Sequence, residues 1–125
     1  MSRTILLRIH GADQWLAPGA ECAHVISPQK HATLRRVLTH DVTLVRVQIG
    51  RVEVPFKLDG QEGRRRSYRA DGLLSLRAQL VATGAALEGH DEIALVAGLD
   101  VRLLLRNDQE APAKSRAHLL VEEKS

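Results

Sequence analysis

The sequence predicts a small α+β domain in which antiparallel strands dominate. Three observations predict it: alternation of apolar and polar residues at the N-terminus, two facing apolar runs about a central Gly-Arg pair, and two short segments with apolar residues at helical spacing. A chain of 125 residues, 44% of them hydrophobic, has apolar surface for one core rather than two.

From Arg3 to His10 the pattern sets Ile5, Leu7 and Ile9 against Arg8 and His10, the period of a half-buried strand. Gly11 to His24 has no periodicity and contains Pro18 and Gly19, so it reads as a long irregular connection. Ser27 then offers an N-cap with Pro28 at the first helical position. Ala32, Leu34, Val37 and Leu38 continue at helical spacing, predicting a short helix over 28–38.

Val42 to Leu58 predicts a hairpin. With Gly50 and Arg51 at the turn, Ile49 faces Val52, Val47 faces Val54, Val45 faces Phe56 and Thr43 faces Leu58. The other face pairs Gln48 with Glu53 and Arg46 with Pro55. Because Pro55 cannot donate to a ladder, its strand is expected at an edge or bulge.

Asp59 to Ala70, polar and carrying Gly60 and Gly63, reads as a loop. Asp71 is then placed to cap a second helix over 72–83, with Leu73, Leu76 and Leu80 on one face and Gly84 ending it. Glu92 to Val96 and Asp100 to Arg106 read as strands about Gly98, the second alternating Val101, Leu103 and Leu105 with Arg102 and Arg106. Residues 1–106 thus make the expected domain. The remainder, 107–125, is polar, is interrupted by Pro112 and reads as a tail or linker.

No run approaches the roughly 18 apolar residues of a membrane span, and Met1 to His10 lacks the apolar core and cleavage site of a signal peptide. With the single cysteine, Cys22, these features predict a cytoplasmic protein with no membrane partner.

Chemistry-bearing motifs are sparse. Cys22, His24 and His31 match no zinc spacing, so no metal or other cofactor is expected. Asp41, Glu53 and Lys57 suggest a metal-dependent nuclease as a third reading: three residues separate Glu53 from Lys57 where the usual motif has one, but strand alternation puts both on one face. Cys22 with His24 lacks a third group to orient the imidazole, and the phosphate-loop, dinucleotide and serine-elbow motifs are absent. The chain as it stands is expected to be non-catalytic.

Charge is more informative in its placement than in its sum of +3. Arg64, Arg65, Arg66 and Arg69 fall within six residues, and Lys30, Arg35 and Arg36 share a second stretch. Guanidinium groups bind phosphate bidentately and read guanine in the major groove, so the cluster suits nucleic acid. A solvated loop, or one that docks an acidic protein partner together with the Pro55 edge strand, is the competing reading. Aromatic residues make up only 2%, which disfavours single-strand binding by stacked bases.

Three blocks resemble a B3-type DNA-binding domain, the pseudo-barrel of plant transcription factors and of recognition domains in some restriction endonucleases. They are Val25-Ile26-Ser27-Pro28-Gln29-Lys30-His31-Ala32, Tyr68-Arg69-Ala70-Asp71-Gly72, and Leu87-Glu88-Gly89-His90-Asp91-Glu92-Ile93. The resemblance implies a small open pseudo-barrel with two short helices that grips the major groove of double-stranded DNA between two arms. The first arm would span Gly11 to Lys30, with Asp13, Gln14, Trp15 and Lys30. The second would carry Arg64, Arg65, Arg66 and Arg69. The sequence departs from the family at Leu73, where an aromatic is usual, and at Ser27. The same order of elements also fits a ferredoxin-like sandwich.

Overall fold

The computed structural model describes residues 2–8 and 14–124. In chain order the strands are β1 (Ser2–Arg8), β2 (Trp15–Leu16), β3 (Glu21–Ile26), β4 (Ala32–His40), β5 (Thr43–Ile49), β6 (Val52–Val54), β7 (Phe56–Glu62) and β8 (Arg65–Ala70). A 3-10 turn (Leu73–Leu76) leads into the short helix α1 (Arg77–Thr83). Strands β9 (Ala86–Leu87), β10 (Ile93–Leu95), β11 (Val101–Arg106), β12 (Ala113–Lys114) and β13 (Arg116–Lys124) complete the chain.

The expected α+β class, dominated by antiparallel strands, is what folds. A seven-stranded sheet runs β1-β13-β4-β10-β9, with β8 also on β4 and β7 outside β8. A four-stranded sheet runs β3-β11-β5-β6, and β2 with β12 forms a small ribbon. The sheets do not close into a barrel. Their inner faces supply the core: Leu34, Val37, Ile93, Leu119 and Val121 from the larger sheet meet Val47, Ile49, Val101, Leu103 and Leu105 from the smaller. Leu73 and Leu80 of the helical segment are fully buried with them. No helix among the described residues is long and apolar enough to cross a membrane.

The expected first helix, 28–38, is instead strand β4. Its register on β13 slips so that Leu120 faces Arg36 while Val121 faces Leu34, leaving Arg35 as an extra residue. A bulge of this kind brings Leu34 and Val37, three apart, onto one face and so imitates helical spacing. With that helix gone, a ferredoxin-like sandwich is excluded. In place of an N-cap bond, the Ser27 hydroxyl donates to Asp100 Oδ1.

The hairpin about Gly50 forms with the expected pairs Ile49–Val52, Gln48–Glu53 and Val47–Val54, and Gly50 adopts a φ of 60°. It stops there. A slip between Leu104 and Leu105 makes Val45 the extra residue of β5, so Leu44 and Val47 share the inner face. Beyond Pro55 the chain crosses to the larger sheet, where Phe56 pairs with Ala70 rather than Val45.

Four further expectations are corrected. Asp59 to Ala70 is not a loop: β7 and β8 form a hairpin turning at Gly63, φ 60°. The alternation that makes it a strand is Tyr68 and Ala70 inward, 6% and 2% exposed, with Arg69 facing out between them. Gly11 to His24 is not wholly irregular, since β2 and the start of β3 lie within it; Ile9 to Asp13 fall outside the described residues. Asp71 makes no capping bond; Gly72 occupies the N-cap position and Asp71 pairs with Lys57 at 3.7 Å. Gly84 does end the helix, at φ 98°.

The fourth correction is the largest. The segment 107–125 is no tail, because β13 lies between β1 and β4 in the larger sheet. Ala117, Leu119 and Val121 point into the core with at most 1% exposure, while Arg116, His118 and Leu120 alternate outward. Asn107, fully buried, ties the segment's start to the β2 region. Its Nδ2 donates to the Leu16 and Ala111 carbonyls, both at 2.9 Å, and its Oδ1 accepts from the Gln109 amide at 2.9 Å. Both strands expected about Gly98 form, β10 in the larger sheet and β11 in the smaller.

Candidate nucleic-acid interface

Strand register gathers a basic surface on the solvent face of the larger sheet. One cross-strand row runs Arg116, His40, Arg65, Glu62, from β13 through β4 and β8 to β7. The next runs Arg8, His118, Leu38, Ser67, Gly60. Small side chains at Ser67 and Gly60 leave the second row shallow beside the longer first row. The result is a groove of about 620 Å³, floored by Leu6 and Leu38 and flanked by Arg65, Arg116, His40 and His118.

The arginine cluster does not act as a unit. Successive residues of β8 point to opposite faces, so Arg65 and Arg69 share the outer face while Arg66 points the other way. Arg66 Nη1 donates to the Val42 carbonyl at 3.3 Å and the Thr43 hydroxyl at 3.1 Å. Arg69 lies 3.2 Å from Asp59 and 3.9 Å from Asp91, and Arg36 lies 3.1 Å and 3.5 Å from the same two carboxylates. These four side chains make a neutral quartet along the sheet. Arg64, at the hairpin tip, is 3.5 Å from Asp41. Among the described residues none of the ion pairs involves Arg65, which is exposed and faces the groove.

Two arms do not converge. Lys30 is exposed just before β4, and Arg65 pairs with His40 at the strand's far end. Nine residues of strand separate them by roughly 30 Å. The β7–β8 tip does not project as an arm either, since the Arg64 carbonyl accepts from the Asp41 amide at 3.1 Å and holds the tip against the β4–β5 turn.

Trp15 lies toward the His40 end. It is 66% exposed on the β2–β12 ribbon, with Lys114 Nζ 5.4 Å from its ring centroid. The Gln14 carbonyl accepts from the Ser115 amide at 2.9 Å, one residue before β13 begins. Asp13 falls outside the described residues. The structure therefore brings Gln14, Trp15, Arg64 and Arg65 to one end of the molecule and leaves Lys30 and Arg69 away from it. Sequence reasoning missed His40, Lys114, Arg116 and His118. Three of these lie in the segment 107–125, where alternation from Arg116 to Val121 is the signal of a strand.

The other chemistry-bearing residues disperse. Glu53 pairs with Arg46 at 3.1 Å in the smaller sheet, and Lys57 belongs to the larger one, so the two share no face. Cys22 Sγ and His24 Nε2 are 3.3 Å apart, whereas His31 Nδ1 accepts from the Ala97 amide elsewhere. Burial raises the Cys22 thiol above its ordinary value, only partly offset by a hydrogen bond with Ser115, and burial lowers His24, so both stay neutral near pH 7. Among the described residues no three His, Cys, Asp or Glu side chains are gathered to hold a metal. Comparison with protein families, with curated proteins and with solved structures gives no match.

Proposed function

We infer that this chain binds nucleic acid by laying a phosphodiester backbone along the groove of the larger sheet. The observation that carries the reading is the row in which Arg116 and Arg65 flank His40, with Arg64 at the adjoining tip. Arg116 and Arg65, on the two strands that flank β4 and so about 10 Å apart, suit the oxygens of one backbone, and guanidinium groups bind them bidentately. Half or more of protein–nucleic acid hydrogen bonds go to phosphate and sugar, so such a surface supplies affinity without base contacts. Duplex DNA laid across the sheet offers the row one strand's phosphates; a single strand enters the groove and rests a base on Leu6 and Leu38.

The test is fluorescence anisotropy of labelled 12-nucleotide DNA, RNA and duplex DNA between 50 and 200 mM NaCl. Three phosphate contacts, from Arg64, Arg65 and Arg116, give a log–log salt slope of about −2 for a single strand. No binding at 50 mM salt, or binding indifferent to salt, would overturn the reading.

An acidic protein segment is the second reading. It is favoured by Leu6, 56% exposed on the groove floor beside the cations. Displacement of bound oligonucleotide by an acidic, leucine-containing peptide at lower concentration than by a second oligonucleotide would prefer it.

A further inference from the structure

Two imidazoles face the groove as well as its arginines, His40 from β4 and His118 from β13. Since His118 pairs with Leu38 and His40 with Arg116, the two histidines are diagonal neighbours on adjacent antiparallel strands. The Cα atoms of such neighbours stand about 7–8 Å apart, so both side chains reach the same stretch of the groove.

Asp41 orients one imidazole. His40 Nδ1 lies 3.1 Å from Asp41 Oδ2, so in neutral His40 the Nδ1–H donates to the carboxylate and Nε2 becomes the acceptor. The backbone that carries this carboxylate is itself held, while Arg64 Nη1 lies 3.5 Å from Oδ1. Asp41 adopts a φ of 68°, uncommon for a residue with a side chain, its amide donates to the Arg64 carbonyl at 3.1 Å, and its carbonyl accepts from Gln109 Nε2 at 3.0 Å. A residue of positive φ tied to two other segments behind a groove histidine is where positioning is expected.

We propose that the groove is a metal-independent ribonucleolytic site, an inference that rests on the backbone-binding reading of the same surface. His40 Nε2 removes the proton from a ribose 2′-hydroxyl, and the 2′ oxygen attacks the neighbouring phosphorus. The bond from phosphorus to the 5′ oxygen breaks, its electron pair stays on that oxygen, and the protonated His118 imidazole supplies the proton. The products are a 2′,3′-cyclic phosphate and a 5′-hydroxyl; no water, metal or redox partner is consumed. Arg65 and Arg116, on either side of His40, stabilise the charge that builds on the non-bridging oxygens. Asp41 is a positioning residue. The charged groups near the two imidazoles include Arg116, Arg65 and Asp41 around His40, Arg8 opposite His118, and Glu62 beyond Arg65. DNA lacks the attacking hydroxyl, so it is bound and left intact.

The experiment uses the full chain and its His40→Ala, His118→Ala and Asp41→Asn variants, purified identically and checked by circular dichroism. Each is given a labelled 12-nucleotide RNA, and the same sequence fully 2′-O-methylated, in EDTA. The expected result is RNA cleavage to a cyclic phosphate with a bell-shaped pH profile. Each histidine variant should lower kcat by about 100-fold or more, with affinity for the methylated strand kept within about threefold. Asp41→Asn should displace the pH profile as well as lower the rate. Binding of the methylated strand with no cleavage beyond the level of His40→Ala overturns the ribonuclease inference and leaves the binding reading standing. Cleavage that requires a divalent metal also overturns it, and failure to bind either strand overturns both.

Discussion

Replacing Leu119 by alanine removes three carbons from a fully buried side chain at the centre of β13, opposite Leu7 on one side and Val37 on the other. At about 0.8 kcal/mol per buried methylene the transfer loss is about 2.4 kcal/mol. A cavity that closes only partly raises the cost toward the range of about 2.7–5 kcal/mol seen for such deletions. With a urea m-value of about 1–3 kcal/mol/M, a loss near 3 kcal/mol lowers the midpoint by about 1–3 M. The neighbouring Leu120→Ala, on the outer face, should cost about 1 kcal/mol or less. Urea unfolding followed by circular dichroism measures both. If Leu119→Ala unfolded within about 0.5 kcal/mol of the parent, β13 would not be part of the core, and the groove that it helps to line would lose its basis.

Arg65→Ala should flatten the single-strand salt slope by about 0.7, whereas Arg69→Ala, whose partners are Asp59 and Asp91, should leave the slope unchanged and cost about 1 kcal/mol of stability; anisotropy and urea titration read the two effects separately. Asn107→Ala orphans two carbonyls and one amide and should cost about 2–4 kcal/mol in urea unfolding; a loss under about 0.5 kcal/mol would show that solvent replaces those bonds. Burial lowers His24, so below the ordinary imidazole value near 6.5 the unfolded chain binds a proton that the folded chain refuses. Stability should therefore be complete above that pH and fall as pH drops below it, and His24→Gln should abolish this component of the urea midpoints measured from pH 7.5 to 5.

Several elements were legible because one local period decided them. Alternation alone found β1 and β11, and facing apolar residues about Gly50 found the β5–β6 turn. The failures share a cause. Bulges at Arg35 and Val45 each place residues three apart on one face, turning a strand into an apparent helix in the first case and breaking the continued hairpin in the second. The arginine hairpin and β13 are polar on their outer faces, and average polarity hid the inward sets Tyr68, Ala70 and Ala117, Leu119, Val121. The groove was out of reach for another reason. Arg116, His40 and Arg65 become neighbours only through the pairing of three strands, which no local pattern encodes.

Nucleic acid bound as proposed lies on the outer face of the larger sheet. Amide chemical-shift changes on titrating a 12-nucleotide RNA, 2′-O-methylated throughout, into the labelled protein test it most directly. The predicted result is that shifts concentrate at Leu6, Leu38, Arg65, Arg116 and His118 and spare Gln48 and Arg102 on the smaller sheet. Shifts centred on Gln48, Glu53 and Arg102, with the groove unmoved, would contradict it.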